Sequence, residues 1–501
     1  MTLKTTTIFK SPSFYFWLFI SIHTLIWTLI PSLTRTSVTH DTLEGITWGL
    51  QWQLGYSKHP FLAAWLCAGI TRLFSVVGWP VYFLGQLAVA LTFFATWQLA
   101  KQFLAPVAAL IASLALEGVV FYTINTSNLT PDSLQSPLWA LLALFFYQAL
   151  TKQTIIYWLS TGLLAALCFC TKYQVVLLLI PMFVFCLSHP TARISFKKTG
   201  IYCAFIFFIL LCIPHLIWLW NNHFGTLIYA FNTPAQYTKS VSVWNHISFP
   251  LRYLVNNILS VSGLFLLLWP FYKARSQTEL QLTHFQWHYL LFIGLGPLIL
   301  SLFLCFITGY YFTPRWSTPY YFSLGIIMMA YLRPVLNEHN LKQFAYSLIL
   351  FSVFLVVAKI TVMNLRLNSN SDAFLPNQEI AERLSKLWHE QYRQPLTFIA
   401  GSNYLIAGVM PYMPDQPKPY SNLSKEESPW INEREMRKQG ALFIWDLGSN
   451  YTWDENSKLN IRPSKEVRTR FPNLITMPTQ VFYKFSNHEP VFIGIAILPP
   501  A

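Results

Sequence analysis

The chain has 501 residues, of which 54% are hydrophobic, 17% aromatic and only 11% charged. Soluble domains carry about 25% charged residues, so this composition excludes an ordinary soluble protein. Apolar runs of membrane-spanning length follow one another, which predicts a polytopic membrane protein. The net charge of +14 is scattered over short loops. We therefore attribute it to membrane topology and to lipid or phosphate contacts, and we expect no nucleic-acid partner.

The acidic residues divide the chain into two parts. Residues 1–363 contain six acids and 19 lysines and arginines, whereas residues 364–501 contain 14 acids and 15 bases. We predict a membrane domain over 1–363 and a small α/β domain over 364–501. The membrane domain is expected to be all-α, with about eleven spans near 14–31, 81–99, 103–124, 132–150, 155–170, 173–188, 200–219, 252–271, 287–308, 317–333 and 343–362.

The first apolar run follows Lys4 and Lys10 and lacks a small-x-small cleavage site, so we interpret it as an uncleaved helix. Basic residues favour the loops that would be cytoplasmic if the N-terminus is inside. An odd number of spans then places the C-terminal domain outside, in the periplasm of a Gram-negative bacterium. Residues 31–80, between the first two spans, form the first outer loop. Their many tryptophans predict helices that lie in the membrane interface.

In the C-terminal part the pattern predicts helices at 379–390 and 403–410, and strands at 396–400, 441–445, 481–485 and 492–498. Its sequence contains no glycine-rich phosphate loop, metal-ligand cluster or nucleophile elbow. We interpret it as a structural or acceptor-side cover. All seven cysteines fall in the membrane part without CxxC spacing, which favours buried apolar residues over disulfides or a metal site.

Four acids of the membrane part are candidates for chemistry. Asp41 and Glu44 share one helical turn in the first loop, Asp132 follows Pro131 at the start of the fourth span, and Glu117 lies within the third. Ionisable groups at membrane depth are costly and usually have a functional or paired role. The alternatives are an N-terminal cap for Asp41, a helix-start residue for Asp132 and a structural pair for Glu117.

The candidate cations are Lys58, Lys172 and Arg315, with His59 as a neighbour that either assists or packs. Lys172 stands between two apolar runs, and Arg315 lies among aromatic residues and prolines. Snorkelling towards the interface would explain both. The alternative is that these cations surround a lipid-linked phosphate and stabilise it as it departs.

Several segments together resemble the GT-C glycosyltransferases of the protein O-mannosyltransferase and aminoarabinose-transferase type, closest to the bacterial lipopolysaccharide galacturonosyltransferases. The segments are, in chain order, Asp41 with Glu44, the LGY at 54–56, Lys58-His59-Pro60, Thr130-Pro131-Asp132, Thr171-Lys172, residues 214–226 and Arg315–Pro319. Their order and topology carry the resemblance. The sequence departs from the family pattern at two places. The family's acidic pair is usually Asp-Glu, whereas here Thr42 follows Asp41. The family usually has two consecutive prolines, whereas here Phe61 follows Pro60.

The resemblance implies an inverting transfer of a sugar from a polyprenyl-phosphate donor to an envelope glycolipid or glycan, such as lipid A or lipopolysaccharide. The active site would lie on the periplasmic face of the bacterial inner membrane. Asp41 is predicted as the base, Glu44 or Asp132 as orienting acids, and Lys58, His59, Lys172 and Arg315 as phosphate-binding residues. No metal or other cofactor is predicted: a divalent metal is possible in the wider superfamily, but two or three carboxylates without a clear His/Asp set do not establish one. A lipid flippase or transporter, and a GT-C homologue that has lost catalysis, remain as alternatives.

Overall fold

The computed structural model describes residues 11–238, 240–273, 282–365, 371–446 and 463–501. They form two compact units. The helical unit contains residues up to Ile30, Lys58–Leu62 and Tyr82–Lys359. The sheet unit contains Pro31–Ser57, Ala63–Val81 and Ile360–Ala501. Towards the C-terminus the helical unit ends at Lys359 and the sheet unit resumes at Ile360, whereas we predicted a domain boundary at 363/364. Most of the first loop, which we grouped with the membrane domain, belongs to the sheet unit.

The helical unit is built from helices joined by short turns and 3₁₀ segments. Its helices are α1 (Pro12–Thr34), α4 (Trp79–Ala100), α5 (Pro106–Leu114), α6 (Pro131–Lys152), α7 (Ile155–Phe169), α8 (Val176–Ser188), α9 (Pro190–Arg193), α10 (Thr199–Asn221), α11 (Gly225–Gln236), α12 (Asn245–Ser260), α13 (Ser262–Leu267), α14 (His284–Thr308), α15 (Leu324–Leu332) and α16 (Glu338–Asn364). The prediction of an all-α membrane part is confirmed.

Fewer helices than predicted are long and apolar enough to cross a membrane. Within the described ranges there are five, α1, α4, α10, α14 and α16, and a sixth if the bent pair Tyr173–Ser188 and Pro190–Lys197 is one span. By length and composition alone, the described residues therefore contain fewer candidate spans than the predicted eleven or so. Several predicted spans are instead short or interrupted helices, such as α5 and α7.

Two predicted spans contain 3₁₀ segments. The predicted span at 317–333 begins within a 3₁₀ segment, Pro314–Ser323, and Pro319 inside this segment lacks the amide proton that a continuous α-helix needs. The predicted span at 103–124 is α5 followed by 3₁₀ turns. A Cβ on Gly118 in these turns would lie 2.1 Å from the backbone nitrogen of Leu264, so the two segments pack directly against each other.

In the sheet unit, the first loop forms two helices, α2 (His40–Gly49) and α3 (Leu62–Phe74). They pack closely, since a Cβ added to Gly49 would lie 2.1 Å from the carbonyl oxygen of Ala64. The backbone amides of Thr36 and Ser37 both donate to the carbonyl of Ala373, at 3.1 Å each. These bonds attach the start of the first loop to the C-terminal part of the chain.

The C-terminal part is an α/β domain with a five-stranded sheet in the order β2-β1-β3-β5-β4. Its strands are β1 (Phe398–Gly401), β2 (Lys418–Ser421), β3 (Ala441–Asp446), β4 (Ile475–Tyr483) and β5 (Pro490–Leu498). Its helices are α17 (Asn377–His389), α18 (Asn403–Val409), α19 (Glu433–Gln439) and α20 (Lys465–Arg470). Strand β1 is parallel to β2 and β3, and β5 is antiparallel to β3 and β4. All six predicted elements are present; β2, α19 and α20 were not predicted.

A charged pair stabilises this domain. Arg470 donates to the carboxylate of Glu433, which also accepts a 2.8 Å hydrogen bond from the Tyr420 hydroxyl. Partial burial opposes ionisation of Glu433, but the hydrogen bonds from Arg470 and Tyr420 outweigh it and lower the pKa of this carboxyl. The charged form of Glu433 therefore favours the folded state.

Candidate functional site

Asp132 is held at the first turn of α6 by a well-formed cap. Thr130 is the N-cap residue, and its hydroxyl accepts the backbone amide of Ser133 at 3.2 Å. The Ser133 hydroxyl in turn accepts the backbone amide of Thr130 at 2.8 Å. Pro131 occupies the first helical position, where no amide proton is required. The TPD sequence is thus a helix start, as the alternative reading of Asp132 had it, and this start fixes the position of the carboxylate.

Two of the predicted cations meet the Asp132 carboxylate. The Lys172 ammonium donates to Oδ1 at 2.5 Å, and the Arg315 Nε lies 3.7 Å from Oδ2. The carboxylate is 9% exposed and the Lys172 side chain 16%, while the Arg315 side chain is 57% exposed. One acid with two bases leaves a net positive charge, so the cluster is suited to bind an anion that approaches from the Arg315 side.

The backbone around Lys172 is fixed by Gln135, which was not among the predicted site residues. Its amide donates to the carbonyl oxygens of Cys168, at 2.7 Å, and of Lys172, at 3.1 Å. Its own oxygen accepts the indole N–H of Trp139. The available signal was a glutamine within a predicted span, one turn after Asp132; the structure shows that this amide is fully buried.

A second amide links Lys172 to the segment that carries Arg315. The Gln174 side chain donates to the backbone carbonyl of Trp316 and, at 3.0 Å, to the hydroxyl of Tyr320. The Lys172 ammonium also lies 5.8 Å from the centre of the Trp316 ring. The two cations are therefore positioned by a shared hydrogen-bond network and do not simply snorkel from separate helices.

Lys58 and His59 belong to the same unit as these cations. The backbone amide of Leu62 donates to the carbonyl of Cys170 at 3.0 Å, which attaches this segment to the turn just before Lys172. The His59 ring lies edge-on to the Tyr229 ring, 6.3 Å between centroids. Both Lys58 and His59 are partly exposed. The segment Lys58-His59-Pro60 thus lies next to the turn that precedes Lys172.

Asp41 and Glu44 lie in the sheet unit and have different surroundings. Asp41 is exposed in the first turn of α2, after the N-cap residue Thr39, so it is not itself the cap. Glu44 is buried and accepts a 2.7 Å hydrogen bond from the side chain of Asn403, the first residue of α18. Thr42 is also buried. An acid at position 42 would have to be desolvated, whereas the Asp41 carboxylate is open to solvent.

Glu117 is part of a buried pair. Its carboxylate contacts Nδ1 of His23 at 2.8 Å and accepts the Ser352 hydroxyl at 3.1 Å. Glu117 is 1% and His23 4% exposed. The contacts agree with the structural alternative for Glu117, because they join helices α1 and α16 to the 3₁₀ segment that contains Glu117.

Comparisons with known proteins agree with this architecture. Residues 58–218 match the family model described as dolichyl-phosphate-mannose-protein mannosyltransferase. The structure is similar to that of ArnT from Cupriavidus metallidurans bound to undecaprenyl phosphate, with a TM-score of 0.61 and 12% identity over 96% of this chain and 98% of that chain.

The apo structure of the same Cupriavidus metallidurans protein gives a TM-score of 0.55 and 11% identity, over 96% of this chain and 97% of that one. No curated protein has a significantly matching sequence. Structural similarity over nearly the whole of both chains, together with the matched segment, confirms the fold implied by the ordered motifs: the chain has the GT-C glycosyltransferase fold.

Proposed function

We propose that the protein is an inverting glycosyltransferase that moves a sugar from a polyprenyl-phosphate donor to an envelope glycolipid or glycan at the periplasmic face of the inner membrane. The observation that carries the proposal is the pair of cations that Asp132 holds in the helical unit. A lipid-linked phosphate needs such cations, and the ArnT structure of the same fold is described as bound to undecaprenyl phosphate.

In the proposed reaction, an acceptor hydroxyl oxygen attacks the anomeric carbon of the donor sugar. The new carbon–oxygen bond forms as the bond to the phosphate oxygen breaks, and the electron pair leaves with the polyprenyl phosphate. Lys172 and Arg315 stabilise the negative charge that grows on this phosphate, with Lys58 and His59 as further contacts from the adjacent segment. Because the leaving phosphate is a stable anion, it requires cations and no proton donor.

The proton of the acceptor hydroxyl passes to a carboxylate, and we assign this role to Asp41. Asp41 belongs to the sheet unit, so its assignment rests on the sequence motif and on the exposure of its carboxylate. Glu44 supports α2 through Asn403, and Asp132 positions the two cations. Both acids are therefore positioning residues in this proposal. The role predicted from the sequence was different: Glu44 or Asp132 would orient Asp41 or the acceptor.

The test is sugar transfer by the purified full chain in lipid nanodiscs, with a polyprenyl-phosphate-linked sugar as donor and membrane glycolipids as acceptors, followed by mass analysis of the products. Asp41→Asn should abolish transfer while the amount of folded protein stays normal. Glu338→Gln, an exposed acid in a surface pair, is the matched control and should behave as wild type. Near-normal transfer by Asp41→Asn would remove Asp41 from the role of base.

The competing function, a lipid flippase or transporter, predicts a different result in the same preparation. A flippase would move the lipid-linked sugar between leaflets of a liposome without forming a glycosylated product. A product whose mass increases by one sugar, and which depends on Lys172, would exclude that alternative as the main activity. A degenerate homologue would produce neither movement nor transfer.

A further inference from the structure

Three histidines come together in the helical unit, away from the residues assigned above. His189 lies between α8 and α9, and His284 and His288 occupy the first two turns of α14. One nitrogen from each ring lies within 4.8 Å of the other two. The ring centroids of His284 and His288 are 3.8 Å apart, and the His189 ring lies 5.9 and 5.7 Å from them.

This cluster is remote from the Asp132 site. Helix α8 begins four residues after Lys172 and ends one residue before His189. Its 13 residues correspond to about 20 Å at 1.5 Å per residue. Arg193, Lys197 and Lys198 follow within nine residues of His189, in a segment that the charge distribution predicts to be cytoplasmic.

The fold brings the three imidazoles together for identifiable reasons. His284 and His288 are four residues apart on one helix, so they project from the same face. Helix α8 packs against α14 and delivers His189 to that face, where the Phe285 ring lies 5.1 Å from the His189 ring. A pair of histidines at this helical spacing, joined by a third from a neighbouring element, is a common arrangement of zinc ligands.

The hydrogen bonding of these rings is incomplete. Among the described residues, the side chains of His284 and His288 have ring contacts but no hydrogen bond. His189 is only 8% exposed, and its Nδ1 accepts the backbone amide of Thr191 at 3.3 Å. This bond is long for an N–H···N contact, so it would give way at small cost if the ring turned its lone pair towards an ion.

We propose that His189, His284 and His288 bind a zinc ion at the end of the helical unit opposite the Asp132 cluster. Three neutral imidazoles supply three of the four tetrahedral positions, and water supplies the fourth. Bound zinc requires ligand nitrogens about 2.0–2.1 Å from the metal, which small side-chain rotations can provide from the present separations. The ion would clamp the bend between α8 and α9 to the start of α14 and so fix the helix that begins beside Lys172.

From the sequence we predicted no metal site, because only one part of this cluster is visible there. The His-x-x-x-His spacing at 284–288 is visible in the sequence, but the third histidine lies far earlier in the chain and only packing of α8 on α14 supplies it. The proposal does not depend on glycosyl transfer, and the following experiment distinguishes the two.

The test uses the full chain purified in detergent, freed of metal with a chelator and then dialysed against buffered Zn²⁺. We expect about one zinc per chain by elemental mass spectrometry, and a visible absorption spectrum typical of tetrahedral nitrogen ligation when Co²⁺ replaces zinc. In the His284→Gln/His288→Gln variant the zinc affinity should fall at least about tenfold, because two direct ligands are lost. His339→Gln, an exposed histidine at the start of α16, is the matched control and should bind zinc as wild type does.

Thermal unfolding provides a second readout, since an ion that binds only the folded state raises its stability. Zinc should raise the Tm of the wild type and of the His339→Gln control, but not that of the double variant. Equal zinc binding by the double variant and the wild type, or none by the wild type, would overturn the proposal. In that case the three histidines pack among the neighbouring phenylalanines without a metal role.

Discussion

The ion pair between Lys172 and Asp132 allows stability and catalysis to be separated experimentally. The single variants Asp132→Leu and Lys172→Met each remove one partner with little change in volume, and the double variant removes both. The two atoms of the pair are 2.5 Å apart and both side chains are largely buried. At an effective dielectric constant of about 20, their gross attraction is about 7 kcal/mol.

The second cation cannot replace Lys172. Arg315 lies 3.7 Å from Asp132 and is 57% exposed, so water screens this contact to about 1 kcal/mol. The gross attraction is offset by the cost of burying both charges. Breaking such a pair typically costs about 3–5 kcal/mol, whereas replacing both partners by apolar groups is often neutral. We therefore expect each single variant to be clearly less stable than the double variant.

The assay is thermal unfolding of the detergent-solubilised full chain, measured beside sugar transfer. The expected order of Tm is wild type close to the double variant, with both single variants lower. Transfer should fall about 10²–10³-fold in every variant that lacks Lys172, because one donor to the developing phosphate charge is lost. A double variant no more stable than either single variant would refute the pairing argument, and near-normal transfer by Lys172→Met would refute the phosphate role.

Two further predictions concern the sheet unit. Gly49→Ala should lower the Tm because its new Cβ would collide with the carbonyl of Ala64, whereas Gly45→Ala on the same helix, with open space around it, should leave the Tm unchanged or raise it. Glu433→Gln should lower the Tm at pH 7, because the charged form of Glu433 stabilises the folded state above the ordinary carboxyl pKa. This difference in Tm should disappear as the pH falls through the lowered pKa of Glu433 and the carboxylate is protonated. The control is the exposed Glu390→Gln, whose Tm should differ little from that of the wild type at any pH from 7 to 3.

Much of the architecture could be predicted from local patterns. Long apolar runs predicted the helices α4 and α16. Local patterns also predicted the strands β1 and β3 and the helix α18 to within a few residues, because these elements depend mainly on local periodicity. Local periodicity did not indicate where a predicted span is short or interrupted. Apolar content does not distinguish a complete helix from one that contains a 3₁₀ segment, such as the segments that include Pro319 and Gly118.

The candidate site divides in the same way. The sequence by itself determined that Asp132, Lys172 and Arg315 deserved attention, because ionisable groups are costly beside apolar runs and must have partners or a function. Only the tertiary structure decided that Asp132 is the partner of both cations, and that Gln135 and Gln174 fix their backbone. Pairing between distant segments depends on helix packing, which no local pattern encodes.

The tertiary structure also decided which residues serve the scaffold. It placed Glu44 against Asn403 and most of the first loop in the sheet unit, and it gathered His189 with the two histidines of α14. Composition and periodicity indicated a polytopic membrane protein with a small α/β domain, since they show which segments are apolar enough for the membrane and which are polar enough for water. The partners of each polar side chain were set by contacts across the fold, because a buried charge or imidazole is satisfied by whichever segment packs beside it.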